Sequence, residues 1–161
     1  MFESVKNSLE KSIATKLRKQ ISLGHDGLDR AFAGGIRYGW LYQFKGKDAM
    51  NSAIGKRIKG VARKAIVVTK VDSVQEIRAL KMRAREEDRP VFIVGDIKNL
   101  HPRQLEEWCD VIVDLSKKGK MTIEKQRWGQ RGSFEMNGTE LITIGYENAQ
   151  RANPVTAYCF A

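Results

Sequence analysis

SLGHDGLDRAFAGGIRYGWLYQFKGKDAMNSAIGKRI, residues 22–58, is the stretch on which the reading of this chain turns. Five glycines fall in its first eighteen residues, so that half reads as turns around a short helix over 27–32. WLYQF (40–44) then reads as a buried strand broken by Gly46. Residues 51–63 read as a helix with Ile54, Ile58 and Val61 inward and Lys and Arg outward, although Gly55 and Gly60 weaken it. A strand, a glycine and a helix in that order give the geometry in which backbone N–H groups and the helix dipole cradle phosphate. A working loop of this kind reads G-x-x-x-x-G-K-[ST], with the lysine on the phosphates and the hydroxyl on magnesium. Counted from Gly46, this chain has Asn51 in place of the second glycine, Ser52 in place of the lysine and Ala53 in place of the hydroxyl. Lys47 directly follows Gly46 and Lys56 lies a turn further on, so neither stands on the first helical turn. The loop keeps the outline of a phosphate site and lacks its working groups.

Working outward, AIVVT (65–69) and PVFIV (90–94) are continuous apolar runs, as expected of parallel strands covered on both faces. Between them 73–87 reads as a charged helix with Asp72 or Ser73 as its N-cap. A helix over 102–108 has Pro102 in its favoured first turn, and it leads to the strand DVIVDL (110–115). The pattern then changes to hairpins: a turn at KKGK (117–120), an alternating strand MTIEKQRW (121–128), then GSFEM, a turn at Asn137-Gly138 and LITIGY (141–146). Helix-separated strands followed by hairpins predict an α/β fold whose central sheet is mostly parallel, with an antiparallel C-terminal hairpin edge. Val5, Leu9, Ile13 and Leu17 recur every fourth residue, which predicts an amphipathic helix over 1–20 ahead of a single core domain over 21–161. The last residues, 147–161, carry no recognisable pattern.

The chain's 161 residues suit one domain, and its 42% hydrophobic and 30% charged residues suit a folded one. No apolar run is long enough to span a bilayer and 1–19 has no signal-peptide pattern, so a cytoplasmic protein without a membrane partner is expected. Cys109 and Cys159 stand far apart with no ligand cluster, and read as buried thiols rather than as a metal site or disulfide framework. His25 and His101 have no nucleophile at catalytic spacing and read as turn or surface residues. The net charge of +10 is concentrated. Residues 41–70 hold eight basic side chains against one acid, 116–131 hold six against one, and 71–115 are net acidic. Such blocks favour phosphate-rich partners. The candidate nucleic-acid-binding residues are Lys45, Lys47, Lys56, Arg57, Lys59, Arg63 and Lys64 in the first block, and Lys117, Lys118, Lys120, Lys125, Arg127, Trp128 and Arg131 in the second. Trp128 offers a ring for base stacking, with Tyr42 or Trp40 as further candidates; Trp40 reads more readily as core because it begins a buried strand.

Ser22-Leu23-Gly24-His25-Asp26-Gly27-Leu28-Asp29 and Gly34-Gly35-Ile36-Arg37-Tyr38-Gly39, followed at once by a strand and a loop, resemble the opening of the RecA/RadA recombinase core, in particular that of archaeal RadA paralogues. Trp108, DVIVDL, the basic turn and Gln126-Arg127 resemble its closing part. The resemblance implies a RecA-like core in which 46–53 is a degenerate ATP loop. Thr69-Lys70 stands where the family tends to carry Thr-Glu, so the residue that would activate water is replaced. The middle is about half the family's length, and Asp96 corresponds to the magnesium-binding carboxylate only if PVFIVGD matches that strand. Resemblance and charge together imply a non-enzymatic paralogue, with no catalytic residue, metal or cofactor, that binds nucleic acid, single-stranded DNA in the first place, in recombination or repair. The alternative is a protein-interaction subunit that regulates an active recombinase or self-associates through its N-terminal helix. A relic that still binds nucleotide without hydrolysing it is a third possibility.

Overall fold

The computed structural model describes residues 20–145. The stripe at Val5, Leu9, Ile13 and Leu17, Cys159 and the rest of 146–161 lie outside them. The elements in chain order are β1 (Gln20–Ile21), α1 (Asp26–Ala31), β2 (Ile36–Arg37), β3 (Leu41–Lys45), α2 (Ala53–Gly60), β4 (Ile66–Val68), α3 (Val74–Glu87), β5 (Val91–Val94), α4 (Pro102–Trp108), β6 (Val111–Asp114), β7 (Lys120–Gln126), β8 (Gly132–Asn137) and β9 (Glu140–Gly145). β1 and β2 form a small antiparallel pair of their own. The other seven strands make one sheet in the order β4-β5-β3-β6-β7-β8-β9. β4, β5, β3 and β6 run parallel, and β7, β8 and β9 are added antiparallel. This is the mostly parallel α/β sheet with an antiparallel hairpin edge that the strand and turn pattern predicts.

Alternation along the parallel strands sends side chains to two cores. Tyr42, Phe44, Phe92, Val111 and Val113 meet Leu28 of α1, Phe32 just after it, and Ile54 and Ile58 of α2 on one face. Leu41, Val91, Ile93 and Ile112 meet Ile77 and Ala84 of α3, Leu105 of α4 and Cys109 just after it on the other. Both faces of these strands are thereby dry, which is why their sequences read as continuous apolar runs. Three rings anchor the first core: Tyr42 and Phe44 stack with centroids 6.0 Å apart, and Phe92 meets them edge-on at 5.7 and 5.1 Å. Each such ring, fully buried, contributes on the order of 1.5–3 kcal/mol of transfer free energy.

The helix starts are set by side-chain caps. Ser73 accepts from the Glu76 amide, and His101 caps α4 in a reciprocal box with Gln104, with Pro102 at the first position. The Ser-Leu-Gly…Leu-Asp phrase has a local reason as well. Asp29 accepts from the Ser22 hydroxyl and from the Leu23 amide at 2.7 Å, Leu28 is fully buried, and Arg57 of α2 donates to the Gly24 carbonyl at 3.0 Å. The phrase thus ties α1 to the strand before it and to α2.

Two expectations are corrected. AIVVT is not covered on both faces: β4 is an edge strand, and Val67 is 47% exposed. The helix expected over 51–63 is divided into a 3₁₀ turn at Ala49–Asn51, α2, whose start Ser52 caps, and a second 3₁₀ turn at Ala62–Lys64 beyond its C-cap Val61.

Candidate functional site

β3 and β6 are parallel neighbours, but the chain leaves β3 through α2 toward β4 and leaves β6 toward β7 on the opposite side. Connections that diverge in this way open a crevice at the carboxyl ends of the strands, where open α/β sheets bind ligands. Here it is a cavity of about 500 Å³ lined by residues of two segments, Lys47 to Ala53 and Leu115 to Gly119. Gly46 turns the chain into it with φ +120°, and a Cβ there would lie 3.0 Å from the Ser116 backbone, so only glycine fits. Asp96, at the end of β5, accepts from the Gly46 amide at 3.1 Å.

The loop is tied back on itself at several points. The Ala49 amide donates to the Gly46 carbonyl at 3.4 Å and the Asn51 amide to the Asp48 carbonyl at 3.0 Å. The Ser52 hydroxyl donates to the Ala49 carbonyl at 3.0 Å and accepts from the Gly55 amide at 2.9 Å. Ala49 is buried, and its carbonyl oxygen stands so close to Gly55 that an added Cβ would be 1.9 Å from it. The segment has folded back onto the first turn of α2, leaving Lys47 and Lys118 as the cations on the cavity wall, with Asp48 beside them.

The structure distributes the fourteen candidate nucleic-acid residues over several places. Lys47, Lys117, Lys118 and Lys120 are exposed at the carboxyl end of the sheet, and among the described residues none of them holds an ion pair. Lys56, Arg57 and Lys59 lie on the outer side of α2, Arg57 engaged with Gly24, and Arg63 and Lys64 on the turn beyond its end. Lys45 is committed to Glu124 at 2.9 Å. Burial pulls its pKa down, yet the Glu124 hydrogen bond and charge, with Asp114 and Asp96, outweigh that and hold the ammonium above its usual range. Lys125 donates to the Glu106 carbonyl, and burial lowers its pKa. Arg127 faces Asp110 at 3.1 Å. Asp110 is buried; it accepts from the Leu41 amide at 2.8 Å and also faces Lys81 at 3.6 Å.

Trp128 and Arg131 lie at the other end of the sheet, because β7 runs roughly 20 Å from Lys120 to Gln126. The second basic block is therefore two groups of charge rather than one. MTIEKQRW leaves the strand at Gln126, and Trp128 is 64% exposed on the turn beyond it. Trp40 is half-buried against the first core, while Tyr42 is buried and its hydroxyl accepts from the Arg37 amide at 2.8 Å, so Tyr42 offers no ring to a partner. Arg37, which no pattern in the sequence singles out, has its guanidinium 5.0 Å from the Trp40 ring and 5.3 Å from that of Trp128. The only sequence signal for it is its position three residues before Trp40.

His25 and His101 both serve as N-caps, which accounts for them as turn residues. Cys109 is buried, its thiol pushed up to about 12 by burial, and inert. Among the described residues no three His, Cys, Asp or Glu side chains gather as a metal site, and no helix is long and apolar enough to cross a membrane.

No protein-family model and no curated protein matches the sequence. Among solved structures, the chain is similar to a crystal structure of the RadB recombinase, with a TM-score of 0.48 and 13% identity over 76% of this chain and 99% of that one. It is also similar to a KaiC-like protein from the hyperthermophilic archaeon Pyrococcus horikoshii OT3, with a TM-score of 0.46 and 11% identity over 77% of this chain and 98% of that one.

Proposed function

We propose that this chain is a non-hydrolysing RecA-like paralogue that binds nucleic acid, single-stranded DNA in the first place, in the service of recombination or repair. The observation that carries the first half is the loop tied back onto α2 through the Ser52 hydroxyl. The residues there do not fit a magnesium triphosphate: Ser52 stands at the lysine position and spends its hydroxyl on Ala49 and Gly55, and Ala53 has no oxygen to offer a metal. Donors and cations aimed at a transferring phosphoryl group are each worth orders of magnitude in rate, so losing several together removes useful turnover. The RecA-like part of the reading is supported by the phrase at 22–39 and by the sheet beyond it, with its diverging connections after β3 and β6.

The second half rests on electrostatics. A net charge of +10 with several exposed lysines and arginines outside ion pairs attracts polyanions and releases their counterions on contact. If Lys47, Lys117, Lys118 and Lys120 each neutralise one phosphate of a single strand, log K falls with log salt at a slope of about −3. Affinity should then drop roughly 50-fold between about 50 and 200 mM salt. A titration of labelled single- and double-stranded DNA across that range, with a Lys117→Ala/Lys118→Ala/Lys120→Ala variant alongside, checks this. The expected result is salt-steep binding weakened in the variant; no binding at low salt, or affinity indifferent to salt, refutes it.

A further inference from the structure

We propose that the strand's bases are read at the amino end of the sheet, where a nucleobase stacks on Trp128 and Arg131 takes an adjoining phosphate, on the opposite side of the molecule from the Gly46 crevice. The inference rests on the nucleic-acid reading above and assigns it a contact surface.

The turn carrying Trp128 is braced. Gln126 ends β7, and its carboxamide donates to the Ala31 carbonyl at the end of α1 and to the Gln130 carbonyl, both at 3.0 Å. Gly129 packs so closely on that carboxamide that a Cβ there would lie 2.6 Å from it. The indole at the apex is therefore held outward by the fold. From below, Trp40 meets it edge-on at 5.5 Å with the rings inclined by 70°, and the Arg37 guanidinium lies against both rings. Arg37 is fixed in turn by its bond to the Ala33 carbonyl at 3.3 Å and by its backbone bond to Tyr42. Two segments distant in sequence, 31–40 and 126–131, thus converge to present one large ring to solvent.

An indole kept exposed and rigid is set up for a planar partner, since little conformational freedom is lost when that partner arrives. The surrounding charge selects the kind of partner. Among the described residues Arg37 and Arg131 hold no ion pair, while Arg127 faces the buried Asp110 and helps neutralise it. Arg30 lines a cavity of about 320 Å³ beside the same turn, with Gly129 and Gln130. A ring flanked by unneutralised guanidinium groups suits a base with its phosphates, and every base offers a face, so recognition tolerates sequence. Bases of a duplex are stacked on one another and cannot use such a ring, so the site requires a single strand.

Anisotropy titrations of a short thymidine oligonucleotide and of a duplex of equal length, on the whole chain at low salt, test this. Trp128→Ala is expected to weaken single-strand binding about tenfold, leave duplex binding unchanged, lower the thermal midpoint by a few degrees as its contacts with Trp40 and Arg37 are lost, and keep the salt slope, because stacking releases no counterions. Trp128→Phe should retain most of the affinity, and Arg131→Ala should lower the slope by about 0.7. Single-strand binding that is indifferent to Trp128→Ala, or a loss equal on both substrates, overturns the inference and leaves the nucleic-acid reading standing. A Trp128→Ala change in self-association with DNA affinity intact overturns it in favour of a protein interface. Wild-type protein that binds neither substrate overturns the reading itself.

Discussion

Gly55 illustrates how much of the candidate site depends on single residues. In the sequence it looks like a flaw, a helix-weakening glycine one turn into α2. In the structure it is the gap into which the Ala49 carbonyl fits, and any side chain there meets backbone that cannot rotate away. Gly55→Ala is therefore expected to cost about 1–3 kcal/mol in urea denaturation, the usual penalty for forcing a methyl into a filled space. Gly60 is the control, since nothing lies within 4 Å of an added Cβ. Gly60→Ala should stabilise by about 0.5 kcal/mol, because alanine restricts the unfolded chain and favours the helix. Equal effects at the two positions would mean that the loop does not rest on the helix as described. The substitutions at Asn51, Ser52 and Ala53 are legible from spacing alone. The redirection of the Ser52 hydroxyl to Ala49 and Gly55 is not, because a serine before a helix signals a cap whatever the loop ahead of it does.

At the scale of elements, strands and helices in the parallel half were legible wherever local chemistry and burial agree. Pro102 starts α4 and Ser73 caps α3, and in the antiparallel half Asn137-Gly138 closes the last hairpin as its sequence signals. Legibility failed where the outcome depends on the neighbouring element. The run AIVVT reads as doubly covered, but which strand lies at an edge is decided by the order β4-β5-β3, a property of the crossovers. MTIEKQRW reads as strand through Trp128, but the Gln126 side chain pulls the chain out of the ladder by bonding to α1 and to its own turn. The edge assignment has a measurable consequence. Val67→Thr, at a half-exposed position, should change stability by no more than about 0.5 kcal/mol. Val91→Thr, fully buried on the adjacent strand, should cost about 1–3 kcal/mol, since it puts a hydroxyl into the apolar core. Comparable losses at both sites in thermal melts would contradict the strand order.

Across the whole molecule, the sheet separates two surfaces that the sequence presents side by side. Counting charges along the chain finds two basic blocks, but β7 carries the second from one end of the sheet to the other, so Lys117, Lys118 and Lys120 are exposed at its carboxyl end, Lys118 on the cavity wall, while Arg131 lies at the other end with Trp128. Arg37 joins that second surface from a segment at the other end of the chain, a meeting that exists only in three dimensions. If phosphoryl chemistry is given up at the crevice end, as proposed, the molecule works by binding. Phosphate release from magnesium ATP by the purified chain, with and without single-stranded DNA, is the most direct test. No release above the protein-free control is expected under either condition; steady turnover that vanishes on Lys47→Ala or Ser52→Ala would contradict a non-hydrolysing crevice.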